Sequence, residues 1–305
     1  MDTTITTPAT TPAPLPTGMA EPKRSSALRR VAGHPGLVIG LVLLGLCLAV
    51  ALLAPLLAPH DPYVQDLNAR LVPPVWYEKG SWVHPLGTDN LGRDYLSRTL
   101  YGARISLLIG LSVMLISGVI GTALGLVAGY FGGRVDLVVN FFVTARLAMP
   151  VVLVALAVVA MVGGSLTVVI LTLGLLKWDR FAVVMRSATM QVRSLDYVAA
   201  AEAAGAGRLR VLAGEILPNV LPHLIVVATV ESGSAILLEA ALSFLGLGVQ
   251  PPLPSWGLMV AEAKNFMFFS FWLIAIPGTA LAALVLGINM IGDGLRDVLA
   301  PEGRA

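Results

Sequence analysis

The sequence is poor in the residues that usually build disulfides, metal centres and nucleotide sites. Its 305 residues include one cysteine, Cys47, so an intrachain disulfide or a thiolate metal site is excluded, and we interpret Cys47 as a small apolar residue. The four histidines, His34, His60, His84 and His223, are far apart in the sequence and show no ligand spacing, so we predict no metal site. No G-x-x-x-x-G-K-[ST] motif occurs, so the chain has no evident loop for binding ATP.

Charged residues are also scarce. They make up 12% of the chain, against about 25% in a typical soluble domain, whereas hydrophobic residues make up 56%. This composition indicates an integral membrane protein. The net charge of +2 and the scattered lysines and arginines exclude nucleic acid as a partner.

The N-terminal part of the sequence predicts a tail followed by a membrane span. The first 22 residues are rich in threonine and proline and cannot bury enough apolar surface to fold, so we predict a disordered tail over residues 1–30. This tail ends in the basic segment KRSSALRR. The apolar run Gly36 to Pro59 that follows is too long for a signal-peptide core of about 7 to 15 residues. We therefore predict an uncleaved transmembrane helix within residues 31–60 and a cytoplasmic N-terminus.

Further apolar runs predict an all-α fold with six transmembrane helices. After an extracytoplasmic loop at 61–104, the transmembrane core extends over 105–291, and its five predicted spans cover about 105–130, 137–161, 167–188, 220–247 and 271–291. The second span contains Gly121, Gly125 and Gly129 at four-residue spacing, which predicts close packing against another helix.

The fourth predicted span is weakened by Lys177, Asp179 and Arg180, since each charge at mid-bilayer costs about 2.5 to 3.5 kcal/mol. With six spans, however, the basic loop at 189–219 lies on the same side as KRSSALRR and as the C-terminal segment 292–305. The positive-inside rule favours this arrangement. We therefore predict cytoplasmic N- and C-termini and an outer loop at 248–270.

The loop between the fourth and fifth spans is predicted to fold as two short helices. Ser194 is a candidate N-cap for the first helix, and Asp196 lies in its first turn. Gly205 is predicted to end this helix in a left-handed conformation, and the second helix is predicted from Arg208 to Leu217. Because neither helix has a strong apolar face for lipid, we expect the alanine-rich surface to contact a protein.

This loop carries a resemblance to a known family. The stretch DYVAAAEAAGAGRLRVLAGEILPN, Asp196 to Asn219, resembles the coupling loop of bacterial ABC import permeases, in which a Glu-Ala-Ala triplet, a glycine and a Leu-Pro pair recur. With Gly205 and Leu217-Pro218 as anchors, the triplet falls on Ala199, Ala200 and Ala201, so alanine stands where the family often has glutamate. The glutamate of Glu202-Ala203-Ala204 is out of register with the family motif.

Three longer stretches resemble the second permease subunit, the C-type subunit, of dipeptide, oligopeptide and nickel importers. They are HPLGTDNLGRDYLSRTLYGARISLLIGL (84–111), LLEAALSFLGLGVQPPLPSWG (237–257) and GDGLRDVL (292–299). Together with the loop, the similarity extends over about residues 36–299. It implies the type I ABC importer permease fold and a multi-pass protein of the bacterial inner membrane.

The resemblance also implies partners and a role. The chain would be a non-catalytic subunit that pairs with a second homologous permease, with two ATP-binding cassette subunits or one fused ATPase that bind ATP and Mg²⁺, and with an extracytoplasmic solute-binding protein. The substrate would be a di- or oligopeptide, with a nickel complex as the alternative. The residues implied in the ATPase contact are Tyr197, Ala200, Ala201, Gly205, Ala206, Arg208, Leu217, Pro218 and Asn219.

Charged residues inside the predicted spans are candidates for the translocation path. Glu231, Ser234 and Glu239 lie in the fifth span, and Arg146 lies in the third span as a possible partner for one carboxylate. A purely structural ion pair would give the same pattern. A proton-driven secondary transporter could use the two glutamates as a relay, but it would not need the cytoplasmic helices. An intramembrane hydrolase is disfavoured because neither G-x-S-x-G nor H-E-x-x-H occurs.

Two outer segments are candidates for contact with the solute-binding protein. Asp89, Arg93 and Asp94 lie in GTDNLGRDYLSRTLYGAR, which we predict to be a helix at the outer membrane interface. Trp256 follows the rigid segment QPPLPS and is either a receptor contact or a membrane anchor.

Overall fold

A computed structural model describes residues 34–299 of the chain, so the predicted N-terminal tail and residues 300–305 lie outside the described part. Within residues 34–299 there is no strand apart from isolated β-bridges, which confirms the all-α prediction. The main helices are α1 (Pro35–Leu57), α2 (Tyr95–Phe131), α3 (Gly133–Leu147), α4 (Val151–Val162), α5 (Leu166–Leu176), α6 (Trp178–Arg193), α7 (Asp196–Ala203), α8 (Arg208–Phe244), α9 (Trp256–Ala263) and α10 (Trp272–Leu299).

Four of these helices are long and apolar enough to cross a membrane, namely α1, α2, α8 and α10. The bent pair α3 and α4 gives a possible fifth span. The predicted fourth span falls on α5 and α6, two shorter helices that are separated at Lys177. The junction contains Lys177, Asp179 and Arg180, and neither helix is among the candidate spans. A sixth membrane crossing therefore stays a prediction.

Helix α2 begins earlier than the sequence analysis indicated. The Asp94 side chain accepts a hydrogen bond from the Ser97 N–H at 2.8 Å and caps the helix N-terminus. The helix then continues without a break to Phe131, a length of about 55 Å, which exceeds the roughly 30 Å of bilayer hydrocarbon. The prediction of a separate interfacial helix before residue 105 is therefore wrong, because residues 95–104 are the first turns of α2.

The third predicted span is not one straight helix either. Helices α3 and α4 meet at an angle of 81°. Pro150 is the N-cap of α4, and its carbonyl accepts the Val154 N–H at 3.2 Å. A proline disfavours helical geometry in the preceding residue, so the chain turns at this point.

The glycine stripe of α2 packs against α6, as predicted. An added Cβ at Gly121 would clash with the Trp178 carbonyl oxygen, and one at Gly129 would lie 2.7 Å from the Arg186 carbonyl oxygen. Only glycine lets the two backbones approach this closely. Because α6 continues into the loop that precedes α7, this contact joins the transmembrane core to the predicted coupling segment.

Candidate functional site

Helices α7 and α8 form a hairpin around Gly205, here called the coupling hairpin (residues 196–219). Gly205 has φ of +82°, and its N–H donates to the Glu202 carbonyl at 3.0 Å. The Ala206 N–H donates to the Ala201 carbonyl at 3.1 Å. These two bonds are the capping pattern that a left-handed glycine makes at a helix C-terminus, and they confirm the prediction that Gly205 ends this helix in a left-handed conformation.

Two details of the hairpin differ from the prediction. The N-cap of α7 is Leu195, without a side-chain hydrogen bond, whereas the Ser194 hydroxyl donates to the Gln191 carbonyl at 2.8 Å at the end of α6. The second helix also does not end before Pro218 but continues to Phe244. A π-helical turn at Val211–Ile216 ends two residues before the proline, and this wider turn accommodates a residue that has no N–H to donate.

The inner side of the coupling hairpin is fixed to the helix bundle. Val198, Val211 and Ile216 are buried in one apolar cluster with Met185 of α6. The Tyr130 hydroxyl of α2 donates to a Glu202 carboxylate oxygen at 2.7 Å. Glu202 thus has its partner within this chain, and the hairpin is attached to the ends of α2 and α6.

The outer side of the hairpin is exposed and is rich in alanine and glycine. Among the predicted contact residues, Ala201, Ala206 and Leu217 are half-buried, while the exposed ones are Tyr197, Ala200, Gly205, Arg208, Pro218 and Asn219. Leu209, for which the sequence offered no motif, lies between two arginines and is 82% exposed. A single exposed leucine is common on protein surfaces, so Leu209 marks a position at which a contact on this side can be tested.

Glu231 is buried in α8 and is paired with Lys177, which lies between α5 and α6. The Lys177 ammonium lies 2.7 Å from one Glu231 oxygen and donates to the Ser234 hydroxyl at 2.9 Å. The Arg180 guanidinium approaches the other carboxylate oxygen at 3.5 Å while its side chain stays 67% exposed. The prediction that Arg146 pairs with one of the two glutamates of α8 is wrong. Its guanidinium donates instead to the nearby Met149 carbonyl at 3.3 Å.

Glu239 has a different environment. One of its oxygens accepts hydrogen bonds from the Ser243 hydroxyl at 2.7 Å and the Ser255 hydroxyl at 3.1 Å. Its side chain is fully buried, and within residues 34–299 no basic side chain forms an ion pair with it. These contacts link α8 to the N-terminus of α9, where Gly257 leaves room for the carboxylate.

The four residues predicted to contact a solute-binding protein are all buried. The Asp89 carboxylate binds the Arg93 guanidinium at 2.6 Å, and Glu262 of α9 contacts both Arg93 and Arg98. The Asp94 carboxylate caps α2. The prediction that these side chains contact a solute-binding protein directly is therefore wrong for this conformation. Their charged groups instead form ion pairs and a helix cap inside the protein.

Trp256 is likewise neither a membrane anchor nor an exposed contact. Its indole N–H donates to the Thr99 carbonyl at 2.9 Å, and its ring lies against Gly102, where an added Cβ would be 2.8 Å from the indole. The exposed aromatic residues of the segment between α1 and α2 are instead Tyr63, Trp76, Tyr77 and Trp82, for which the sequence offered no motif.

Comparison with known proteins identifies the family. Residues 121–304 match the family described as the inner membrane component of binding-protein-dependent transport systems. The chain belongs to this permease family. In addition, residues 24–74 of the permease match the N-terminal transmembrane domain of oligopeptide transport permease C, so the resemblance inferred from the sequence is confirmed.

Named relatives align with most of the permease. The dipeptide transport system permease protein DppC of Escherichia coli strain K12 is 46% identical over 88% of this chain and 90% of its own length. The di/tripeptide permease protein DppC of Pseudomonas aeruginosa is 41% identical over 89% of each chain. Among solved structures, the inward-facing MetNI methionine ABC transporter matches with a TM-score of 0.55 at 19% identity over 66% of this chain and 96% of that chain, which shows the shared type I permease fold.

Proposed function

We propose that this permease is one half of the membrane domain of an ATP-driven importer of di- or oligopeptides. A second, homologous permease completes the translocation path. Two ATP-binding cassette subunits, or one fused ATPase, act on the cytoplasmic face, and an extracytoplasmic solute-binding protein delivers the peptide. The peptide substrate is supported by the relatives in Escherichia coli, Haemophilus influenzae and Pseudomonas aeruginosa, which are named as dipeptide or di/tripeptide permeases.

The coupling hairpin is the observation that carries this proposal. It has one side fixed to α2 and α6 and one side exposed, with small side chains that allow a partner to approach closely. When the ATPase subunits close, their movement displaces the hairpin and thereby α6 and α8. A movement of this kind shifts the balance between inward-open and outward-open states only if the contacts differ between them.

Leu209→Asp tests the proposed ATPase contact. Leu209 is 82% exposed, so the substitution removes no contact inside the chain but places a charge in the interface. We expect the amount of ATPase that co-purifies with the permease to fall by about tenfold or more. Peptide-stimulated ATP hydrolysis should fall to a matching extent. The matched control is Val64→Asp, a similar change at a 64% exposed site between α1 and α2. Normal ATPase retention with Leu209→Asp would contradict the assigned contact surface.

Gly205→Val probes the shape of the hairpin separately. Nothing lies within 4 Å of an added Cβ at this position, so the only cost is the left-handed backbone conformation, about 1 to 2 kcal/mol. We expect slower transport with the complex still assembled.

Glu231 is proposed to line the translocation path. It is buried, its charge is balanced by Lys177, and the exposed Arg180 next to it supplies a positive charge for the carboxylate of a peptide. The substrate class is tested in proteoliposomes that contain the assembled complex, with uptake of labelled dialanine compared with uptake of Ni²⁺. Nickel uptake without dipeptide uptake would overturn the peptide assignment but leave the ATPase contact intact.

A further inference from the structure

Three side chains with metal-binding atoms converge at the end of α2 that lies opposite the coupling hairpin. His60 follows α1, His84 lies further along the segment between α1 and α2, and Asp94 is the N-cap of α2. The Nδ1 atom of His84 is 2.9 Å from an Asp94 carboxylate oxygen, and the Nδ1 atom of His60 is 3.6 Å from the same oxygen. The two imidazole rings are 4.8 Å apart between their centres. Their separation in the sequence concealed this arrangement.

The geometry of the cluster matches the ligand set of a transition-metal site. One donor atom from each residue lies within 4.8 Å of the other two, and small side-chain rotations bring such atoms to the roughly 3.3 Å separations of tetrahedral coordination at about 2.0 to 2.1 Å. The second oxygen of Asp94 accepts the Ser97 N–H, which fixes the carboxylate with its first oxygen towards both imidazoles.

The surroundings leave one side of the cluster open. The His60 side chain is 40% exposed, whereas those of His84 and Asp94 are largely buried. A metal ion held by these three ligands would therefore have access to water as its fourth ligand. Two imidazoles and one carboxylate favour zinc and similar borderline ions over Mg²⁺ or Ca²⁺, which prefer sets made of oxygen alone.

We propose that His60, His84 and Asp94 bind one divalent transition-metal ion of the zinc class. The ion would join the end of α1 to the first turn of α2, next to the hydrogen bond from the His60 backbone N–H to the Ser97 hydroxyl at 3.2 Å. This site is separate from the coupling hairpin and from the Lys177–Glu231 pair. It does not depend on the substrate of the importer.

The experiment measures Zn²⁺ binding to the assembled complex, purified with an affinity tag that contains no histidine. Zn²⁺ is titrated in competition with a chromophoric chelator, and the wild-type complex is compared with His60→Gln and Asp94→Asn complexes. The exposed position of His60 makes its substitution easy to tolerate, and asparagine at position 94 can still cap α2. His223→Gln is the matched control, since His223 lies outside the cluster.

We expect each ligand substitution to remove one tightly bound Zn²⁺ ion per permease and to lower the affinity for that ion by at least about tenfold. The His223→Gln control should bind Zn²⁺ as the wild type does. Zn²⁺ should also raise the unfolding temperature of the wild-type complex and not that of the His60→Gln complex. Equal Zn²⁺ stoichiometry and affinity in wild-type, His60→Gln and Asp94→Asn complexes would overturn the proposal. In that case the cluster is a hydrogen-bonded helix cap only.

Discussion

The ion pair between Lys177 and Glu231 allows a quantitative test of the charges inside the helix bundle. Their side chains are only 9% and 2% exposed, and the two charged atoms are 2.7 Å apart. At an effective dielectric constant of 20, this distance corresponds to an attraction of about 6 kcal/mol. Desolvation offsets much of it, at several kcal/mol for each ion, so the pair contributes little net stability.

Removing only the lysine should be costly, because a buried carboxylate then lacks its partner. Breaking such a pair typically costs about 3 to 5 kcal/mol. For Lys177→Met we expect about 3 kcal/mol, the lower end, since the Arg180 guanidinium is already 3.5 Å from the other Glu231 oxygen and partly replaces the lysine. Adding Glu231→Gln removes the remaining charge and should bring the free energy of unfolding back to within about 1 kcal/mol of the wild type.

The assay is unfolding by SDS titration in mixed micelles for the wild type, both single variants and the double variant, which together form a double-mutant cycle. Arg180→Met is the control for loss of an exposed positive charge and should cost less than about 1 kcal/mol. The reasoning is refuted if Lys177→Met costs less than about 1 kcal/mol. A double variant no more stable than Lys177→Met would refute it equally.

Two further predictions concern packing. Gly125→Ala should destabilise the protein by about 1 to 3 kcal/mol, because the added Cβ would lie 2.7 Å from the Ala182 carbonyl oxygen. Gly45→Ala is the control and should be neutral or stabilising, since nothing lies within 4 Å of its added Cβ. The reverse order of unfolding temperatures would contradict the described α2–α6 contact. Trp256→Phe should cost about 1 kcal/mol for the lost hydrogen bond to Thr99, and Trp256→Ala about 3 to 5 kcal/mol, measured in the same titration. Equal stability of the two tryptophan variants would show that the ring is not packed as described.

Local sequence patterns predicted several elements correctly. These elements depend on residues within a few positions of each other. They are the long apolar runs, the left-handed conformation of Gly205 and the close helix approach at Gly121, Gly125 and Gly129. The predicted helix ends were wrong where the residues next to a helix-breaking or charged residue allowed the helix to continue. Pro218 indicates the end of a helix, but the π-helical turn before it allows α8 to continue, and the charges before residue 105 do not interrupt α2.

The sequence by itself determined that this chain is a helical membrane protein of an import permease family and where its coupling hairpin lies, because hydrophobic length, glycine position and motif are encoded in short segments. Only the tertiary structure decided which polar side chains meet. It paired Lys177 with Glu231 in place of Arg146, buried Asp89 and Arg93, and brought His60 and His84 together. The physical reason is that such contacts depend on how distant helices pack, and a change of register or angle in one helix would give every charge a different partner.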